Sequence, residues 1–249
     1  MLEPRSILIT GAAGAIGSAL ARVYAKPGVF LHLGDVHEQR LGEIVTHCQT
    51  LGAEVHGSVV DVTAAPAMQA WINAADSLAP LDLVLAIAGI SRGSAAQEES
   101  PEDTRAVFAV NVEGMLNTVL FALPLLRARR RGQIALMSSL AGTRGFPVAP
   151  SYSATKACIR IYGEALRARL QRENIGVTVI NPGFIKSSMT DANPYYMPFR
   201  VETYRAAQII QRQLAKNKAH ISFPWPITFA AWCLSLAPAA VFNRIAALK

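Results

Sequence analysis

Three residues in one short window can share a proton-transfer reaction: Ser139, Tyr152 and Lys156. Tyr152 and Lys156 are spaced i, i+4, which places both side chains on one face of a helix. A phenol with its ordinary pKa of about 10 is a poor base at neutral pH, and a nearby ammonium favours the phenolate. Lys156 is therefore expected to lower the Tyr152 pKa into a useful range. Ser139 lies upstream in a turn rich in Gly and Pro. Its hydroxyl can hold the oxygen of a carbonyl or carbinol and share the charge that develops there.

The elements around these residues must bring them to one place. The apolar run Gln133–Ser138 reads as a strand, so the Ser139 hydroxyl falls at a strand's carboxyl end and the Tyr/Lys pair at the start of the next helix. Ligands of open α/β sheets bind outside those ends. At the start of the chain, Ser6–Thr10 reads as a short strand, followed by the glycine turn Gly11-Ala-Ala-Gly14-Ala-Ile-Gly17 and a helical pattern to Lys26. Strand, glycine turn and helix form the context of a dinucleotide site. The glycines let the backbone approach a pyrophosphate, and the helix N-terminus attracts its charge.

A second strand, Val29–Asp35, ends in a carboxylate placed to accept hydrogen bonds from the ribose hydroxyls of an adenosine and to repel a 2′-phosphate. No basic residue stands in the glycine loop and Val36 follows Asp35, so NAD is favoured over NADP. Asp35 can instead cap the following helix. A third strand, Ala53–Val60, leads to Asp61, Val62 and Thr63; Asp61 can pair with an adenine amino group or cap the next helix. Leu81–Ile87 is the near-continuous apolar run of a buried parallel strand, ending at the small pair Ala88-Gly89. Pro101–Arg131 reads as one long helix containing Asn111, and Ile175–Ile180 as a sixth strand before Asn181, Pro182 and Gly183. Strands alternating with helices imply an α/β fold with a parallel sheet and right-handed crossovers.

Composition narrows the class. With 249 residues, 51% of them hydrophobic and 16% charged, the chain can bury the core of one large α/β domain. Met1–Arg5 is too short and polar for a secretory signal. The three cysteines, Cys48, Cys158 and Cys233, have no disulfide or metal spacing, and the histidines do not cluster, so a reducing cytoplasmic setting and no metal are expected. The net charge of +7 raises nucleic acid or anionic membrane as partners. However, the densest basic run, Arg127 with Arg129–Arg131, ends a helix, where cations complement the dipole, and no nucleic-acid partner is expected.

Taken together, Thr10–Gly17, Asp61-Val62, Ala88-Gly89, Asn111-Val112, Ser138-Ser139, Tyr152-Ser-Ala-Thr-Lys156 and Pro182-Gly183 resemble the short-chain dehydrogenase/reductase family, in order and at its spacing, over about residues 6 to 190. The resemblance implies a single-domain, Rossmann-like, doubly wound parallel sheet with helices on both faces. It implies a catalytic set of Asn111, holding a helix kink and a water in a proton relay, Ser139, orienting the substrate oxygen, Tyr152, the general acid/base, and Lys156, binding the nicotinamide ribose. It implies a cofactor site of Gly11, Gly14, Ile16, Gly17, Asp35, Asp61, Val62, Ala88, Gly89, Tyr152, Lys156, Pro182, Gly183, Ile185 and Ser187, and assembly as a dimer or tetramer through the long helices. Two positions depart from the pattern: Ala15 stands for a loop glycine, and Ala86-Ile87 for two asparagines.

Two stretches stay open. Lys186–Arg200, with Met189, Pro194, Tyr195, Tyr196, Met197 and Phe199, matches the family's substrate loop and suggests an apolar substrate, or packs on the sheet or a neighbouring subunit. Phe223–Phe242 holds no charge and reaches the length of a span, but Pro224, Pro226 and Pro238 interrupt it. The organisation expected is a catalytic domain over 1–220 and an apolar extension over 221–249 that packs on that domain, meets a subunit or rests on a membrane surface. The function expected is NAD-dependent hydride transfer with a lipophilic secondary alcohol or ketone; the alternatives are a dinucleotide sensor without turnover and a membrane-associated binding protein.

Overall fold

A computed structural model describes residues 3–92, 98–187 and 197–246. In chain order it contains β1 (Ser6–Thr10), α1 (Ala15–Tyr24), β2 (Phe30–Asp35), α2 (Glu38–Thr50), β3 (Glu54–Val59), α3 (Ala65–Leu78) and β4 (Leu83–Ala86). Then follow α4 (Pro101–Phe108), a π turn (Ala109–Glu113), α5 (Gly114–Arg129), β5 (Gly132–Met137) and α6 (Pro150–Leu170). The chain ends with β6 (Ile175–Pro182), α7 (Thr203–Ala215), β7 (His220–Phe223), α8 (Trp225–Leu236) and α9 (Ala239–Ala246).

The seven strands form one sheet in the order β3-β2-β1-β4-β5-β6-β7, every pair parallel. The strand order reverses beside β1, which lies between β2 and β4: the chain leaves β1 toward one edge and returns from β3 to β4 to build toward the other, which opens a crevice at the carboxyl ends. Register brings those ends level: Thr10 pairs with both Gly34 and Ala86. The interior strands are buried on both faces, which is why Ser6–Thr10, Gly132–Met137 and Ile175–Pro182 read as apolar runs rather than alternating patterns. On one face, α1, α2 and α7 cover Ile7, Ile9, Leu31 and Leu33. On the other, α3, α5 and α6 cover Leu8, Val84, Ile134 and Val177.

The helix expected over Pro101–Arg131 is continuous from Pro101 to Arg129, with the π turn set into it around Asn111. Arg130 ends it in the left-handed region (φ 50°). The arginine run is consumed by the fold: Arg127 clamps Glu173, Arg129 clamps Asp76 and Arg131 pairs with Asp82. The seventh strand, absent from the sequence expectation, pairs with β6 from Val179↔His220 to Pro182↔Phe223. Beyond it the prolines punctuate rather than abolish helix. Pro226 sits in the first turn of α8, where its missing amide is harmless, and Pro238 separates α8 from α9. The result is helices of 12 and 8 residues, too short to span a bilayer. Among the described residues only Pro101–Arg129 is long and apolar enough to do so, and it packs against α3 and the sheet.

Helix α6 lies close against β5 and β6. A Cβ on Gly163 would stand 2.5 Å from Val179 Cγ2 and 3.0 Å from Leu136 Cδ1. Gly163→Ala is expected to destabilise the protein by about 1–3 kcal/mol, because overpacking strains a close-packed core faster than the methyl's burial compensates. Thermal unfolding measures it, and an unchanged or higher Tm contradicts the packing described.

Candidate active site

A cleft of about 640 Å³ opens along the carboxyl ends of the strands, and the glycine turn forms its floor. Gly11 takes a positive φ (67°), and a Cβ there would lie 2.7 Å from Ala88 Cα. A Cβ on Gly17 would fall 2.1 Å from the Gly11 carbonyl oxygen. The start of α1 is therefore pressed onto the loop, and the loop onto the end of β4, at distances only glycine allows. Gly14 donates its amide to the Gly11 carbonyl (3.1 Å) and caps α1. Ala15 is already helical, which is why a methyl is tolerated where the pattern has glycine. No acidic side chain stands in the first turn of α1, and Gly14, Ile16 and Gly17 line the cleft, so the positive helix end faces it. At Ala86-Ile87, where the pattern has two asparagines, Thr10 Oγ1 accepts from the Ile87 and Ala88 amides (3.1 and 3.3 Å).

Asp35 and Asp61 stand at one end of the cleft. One carboxylate oxygen of Asp35 accepts from the Ala13 amide (2.9 Å), the other from the His37 amide (3.0 Å) at the entry to α2. Asp61 accepts from the amide and hydroxyl of Thr63, both at 2.8 Å, bracing the turn before α3, while its side chain is exposed. Val62, next to it, packs against Gly114, where a Cβ would meet Val62 Cγ2 at 2.4 Å.

At the other end stand Tyr152 and Lys156, one turn apart on α6. Lys156 Nζ donates to the Met137 carbonyl (2.8 Å) and lies 5.4 Å from the centre of the Tyr152 ring. A Cβ on Gly89 would stand 3.2 Å from Lys156 Nζ and 3.1 Å from Asn111 Oδ1, so this glycine keeps the floor open over both. Asn111 is fully buried in the π turn; its amide accepts from the Ile90 amide (2.8 Å) and donates to the Ile90 carbonyl (2.9 Å) and to Thr155 Oγ1 (3.1 Å). Ser139 sits at the carboxyl end of β5, its hydroxyl accepting from the Ala141 amide (3.1 Å) and 3.4 Å from the Pro182 carbonyl.

Burial lowers the Lys156 pKa to about 8. Burial raises the Tyr152 phenol above its ordinary value, with hydrogen bonding to Ser139 working in the opposite direction. In the ligand-free protein the phenol thus moves opposite to the direction its spacing from Lys156 predicts: desolvation of the phenolate outweighs an ammonium that itself gives up its proton readily.

The residues expected from sequence largely converge. The cleft wall contains Pro182 and Ser187 together with the glycine-turn, Asp35, Asp61-Val62, Ala88-Gly89 and Tyr152/Lys156 positions. Asn111 and Ser139 stand just behind that wall, and Gly183 and Ile185 lie beside it. Gly183 is in contact range of Ile227 and Pro224, and Ile185 bridges to Val201. Of the expected substrate loop, Met189, Pro194, Tyr195 and Tyr196 lie outside the described residues, while Phe199 is exposed. Unforeseen wall residues include Arg40, Ile90, Arg92 and Val110. Ser138 also lines the cleft, and its hydroxyl fastens α6 by donating to the Lys156 carbonyl (2.7 Å). Among the described residues no three His, Cys, Asp or Glu side chains gather as a metal set.

A seven-stranded parallel sheet with a glycine turn and this cleft defines a dinucleotide-binding oxidoreductase class, and comparison with known proteins names the branch. The short chain dehydrogenase family model matches residues 5–195. An uncharacterized oxidoreductase of Myxococcus xanthus is 34% identical over 97% of this chain and 96% of its own. The 3-oxoacyl-acyl-carrier-protein reductase FabG of Thermotoga maritima is 30% identical over 78% of this chain and 79% of its own. A short chain dehydrogenase/reductase from Burkholderia phymatum, solved in complex with NAD, superposes with a TM-score of 0.84 at 25% identity, covering 93% of each chain. The chain belongs to the short-chain dehydrogenase/reductase family.

Lys156 supplies a test of the site's electrostatics. Its pKa is about 8 folded against 10.5 in the free side chain. Between those values the unfolded chain holds a proton that the folded one lacks, so stability rises as pH climbs through the window; below it the cost of the buried ammonium is constant. Lys156→Met is expected to remove this rise, on the order of 3 kcal/mol. Denaturant unfolding on both sides of the window reads it, and parallel pH dependences for the two proteins refute it.

Proposed function

We propose that the protein transfers hydride between NAD and a lipophilic secondary alcohol or ketone, with Tyr152 as general acid/base. The observation that carries this reading is the meeting of Tyr152, Lys156, Ser139 and Asn111 at one end of a cleft whose other end holds Asp35.

The residues present fit a nicotinamide dinucleotide. Gly11 and Gly17 let the turn fold at distances only glycine allows, which keeps its backbone open to the approach of a pyrophosphate, and the N-terminus of α1 attracts its charge. Asp35 suits ribose hydroxyls and opposes a 2′-phosphate; Arg40 is the cation that NADP would use, so the NAD preference is a proposal to be measured. Asp61 and Val62 would flank the adenine. Ala88, Gly89, Pro182, Gly183, Ile185 and Ser187 would shape the nicotinamide end, and Lys156 would bind its ribose. When bound, the nicotinamide supplies the hydride acceptor or donor.

The protein's part is the proton. Tyr152 Oη takes the proton of the substrate hydroxyl in oxidation and returns it in reduction. Ser139 holds the substrate oxygen and steadies its charge, the arrangement that hydroxyl donors provide for developing oxyanions. Lys156, protonated once an anionic phosphate or phenolate offsets its burial, favours the phenolate. Asn111 holds Ile90 and Thr155 and, through Thr155, the carbonyl of Tyr152, to which Thr155 Oγ1 donates (2.9 Å).

An apolar substrate is supported by Ile90, Val110 and Met137 in the cleft wall. The Thermotoga relative's name, a 3-oxoacyl carrier-protein reductase, describes a ketone on an acyl chain. Exposed Leu120 on α5 and Ile161 on α6 support assembly with a second copy through the long helices.

The test is absorbance of reduced nicotinamide with a panel of apolar ketones, with NADH and NADPH in separate arms. Turnover is expected with NADH. Tyr152→Phe should lower kcat by at least about a thousandfold and leave coenzyme affinity within a few-fold. Tight coenzyme binding without turnover on any ketone supports the sensor alternative, and equal use of NADPH overturns the cofactor assignment.

A further inference from the structure

Helix α8 carries no charged residue, and four of its large side chains point to solvent on one stripe: Trp225 (78% exposed), Phe229 (59%), Trp232 (57%) and Leu236 (66%). Their spacing, i, i+4, i+7 and i+11, is that of a single helix face. Val241 on α9 adds to the exposed apolar side chains. Monomeric soluble proteins rarely expose apolar side chains in such a contiguous row. The helix is nevertheless firmly attached at its back. Ala231 is buried, Ile227 lies in contact range of Gly183, and Thr228 caps back onto the Pro224 carbonyl (3.0 Å).

The charge of the tail that carries this face has one sign. From Thr203 to the C-terminus the sequence contains no Asp or Glu, yet it carries Arg205, Arg212, Lys216, Lys218, Arg244 and Lys249. Two cations are placed at the face itself. Arg244 is exposed on α9, and Arg144 reaches the Ser235 carbonyl at the end of α8 (3.4 Å) while lying 4.8 Å over the Phe242 ring.

We propose that the α8–α9 face docks on the surface of an anionic lipid bilayer, lying in the interface without crossing it. Two exposed tryptophans on one stripe suit the headgroup level, where their amphipathic rings are favoured. Uncompensated arginines beside the stripe suit anionic headgroups. A second copy is the competing occupant. A two-fold interface sets each patch against itself, and this one would bring Arg244 and Arg144 toward their own images with no acidic residue of the tail to answer them. The bilayer supplies the missing charge. The back of α8 adjoins Gly183 and Leu140, beside the reactive end of the cleft, so a docked molecule would hold its cleft close to membrane-dissolved compounds. The proposal stands whether or not the substrate is lipophilic.

The experiment is sedimentation of the full chain with vesicles of phosphatidylcholine alone or mixed equally with phosphatidylglycerol, alongside its size in solution. Binding to the anionic vesicles is expected, with a blue shift of tryptophan emission and a loss of about tenfold or more in high salt. The double variant W225S/W232S should bind at least about tenfold more weakly, with unchanged far-ultraviolet circular dichroism and unchanged size in solution. Arg244→Gln should cost about fivefold on anionic vesicles alone. No sedimentation, or equal sedimentation with both vesicle types, overturns the proposal. A W225S/W232S protein that binds vesicles normally but changes its oligomeric size overturns it in favour of a second copy.

Discussion

The buried side-chain amide of Asn111 makes three hydrogen bonds where three segments of chain meet. It pairs with the backbone of Ile90 after β4, reaches Thr155 on α6, and projects from the π turn between α4 and α5. A buried amide left unpaired costs far more than a satisfied one contributes, so all three segments are held in the arrangement that satisfies it. Gly89 lies directly above, in range of both Asn111 and Lys156. The position of Tyr152 relative to the cleft floor follows, because Thr155 returns a hydrogen bond to the Tyr152 carbonyl.

A similar economy of space governs the opposite side of the cleft. Gly11 and Gly17 allow α1, its loop and β4 to touch backbone to backbone, and Asp35 ties the loop to β2 through the Ala13 amide. These contacts make the floor a rigid extension of the sheet. The two ends of the cleft are therefore fixed to one another by strands β1, β2, β4 and β5 rather than by mobile connections, which is the arrangement that a ligand spanning both ends requires.

Much of this was readable in the sequence because it depends on short-range spacing. The glycine turn, the i, i+4 pair and the apolar strand runs are local patterns, and their places in the fold follow from the alternation of strands and helices. What was not legible depends on packing at a distance. Nothing in an uninterrupted helical pattern marks a π turn at Ala109–Glu113; the pattern registers faces, not the identity of the hydrogen-bonded partner. Arg40, Ile90 and Arg92 join the cleft only because crossovers deliver them there. The short strand His220–Phe223 was hidden beside prolines and an uncharged run. The direction of the Tyr152 pKa shift required knowing how thoroughly its surroundings exclude water, which no spacing reveals.

The Arg144 guanidinium has a wider consequence. It belongs to the segment that joins Ser139 to α6, yet it grips the last turn of α8 and the Phe242 ring of α9, and Phe146 meets the same ring edge-on at 6.1 Å. The terminal helices are thereby clasped to the stretch that runs from Ser139 into α6. They are not a detachable appendage: a change that loosens the C-terminus also removes contacts from the segment between Ser139 and α6.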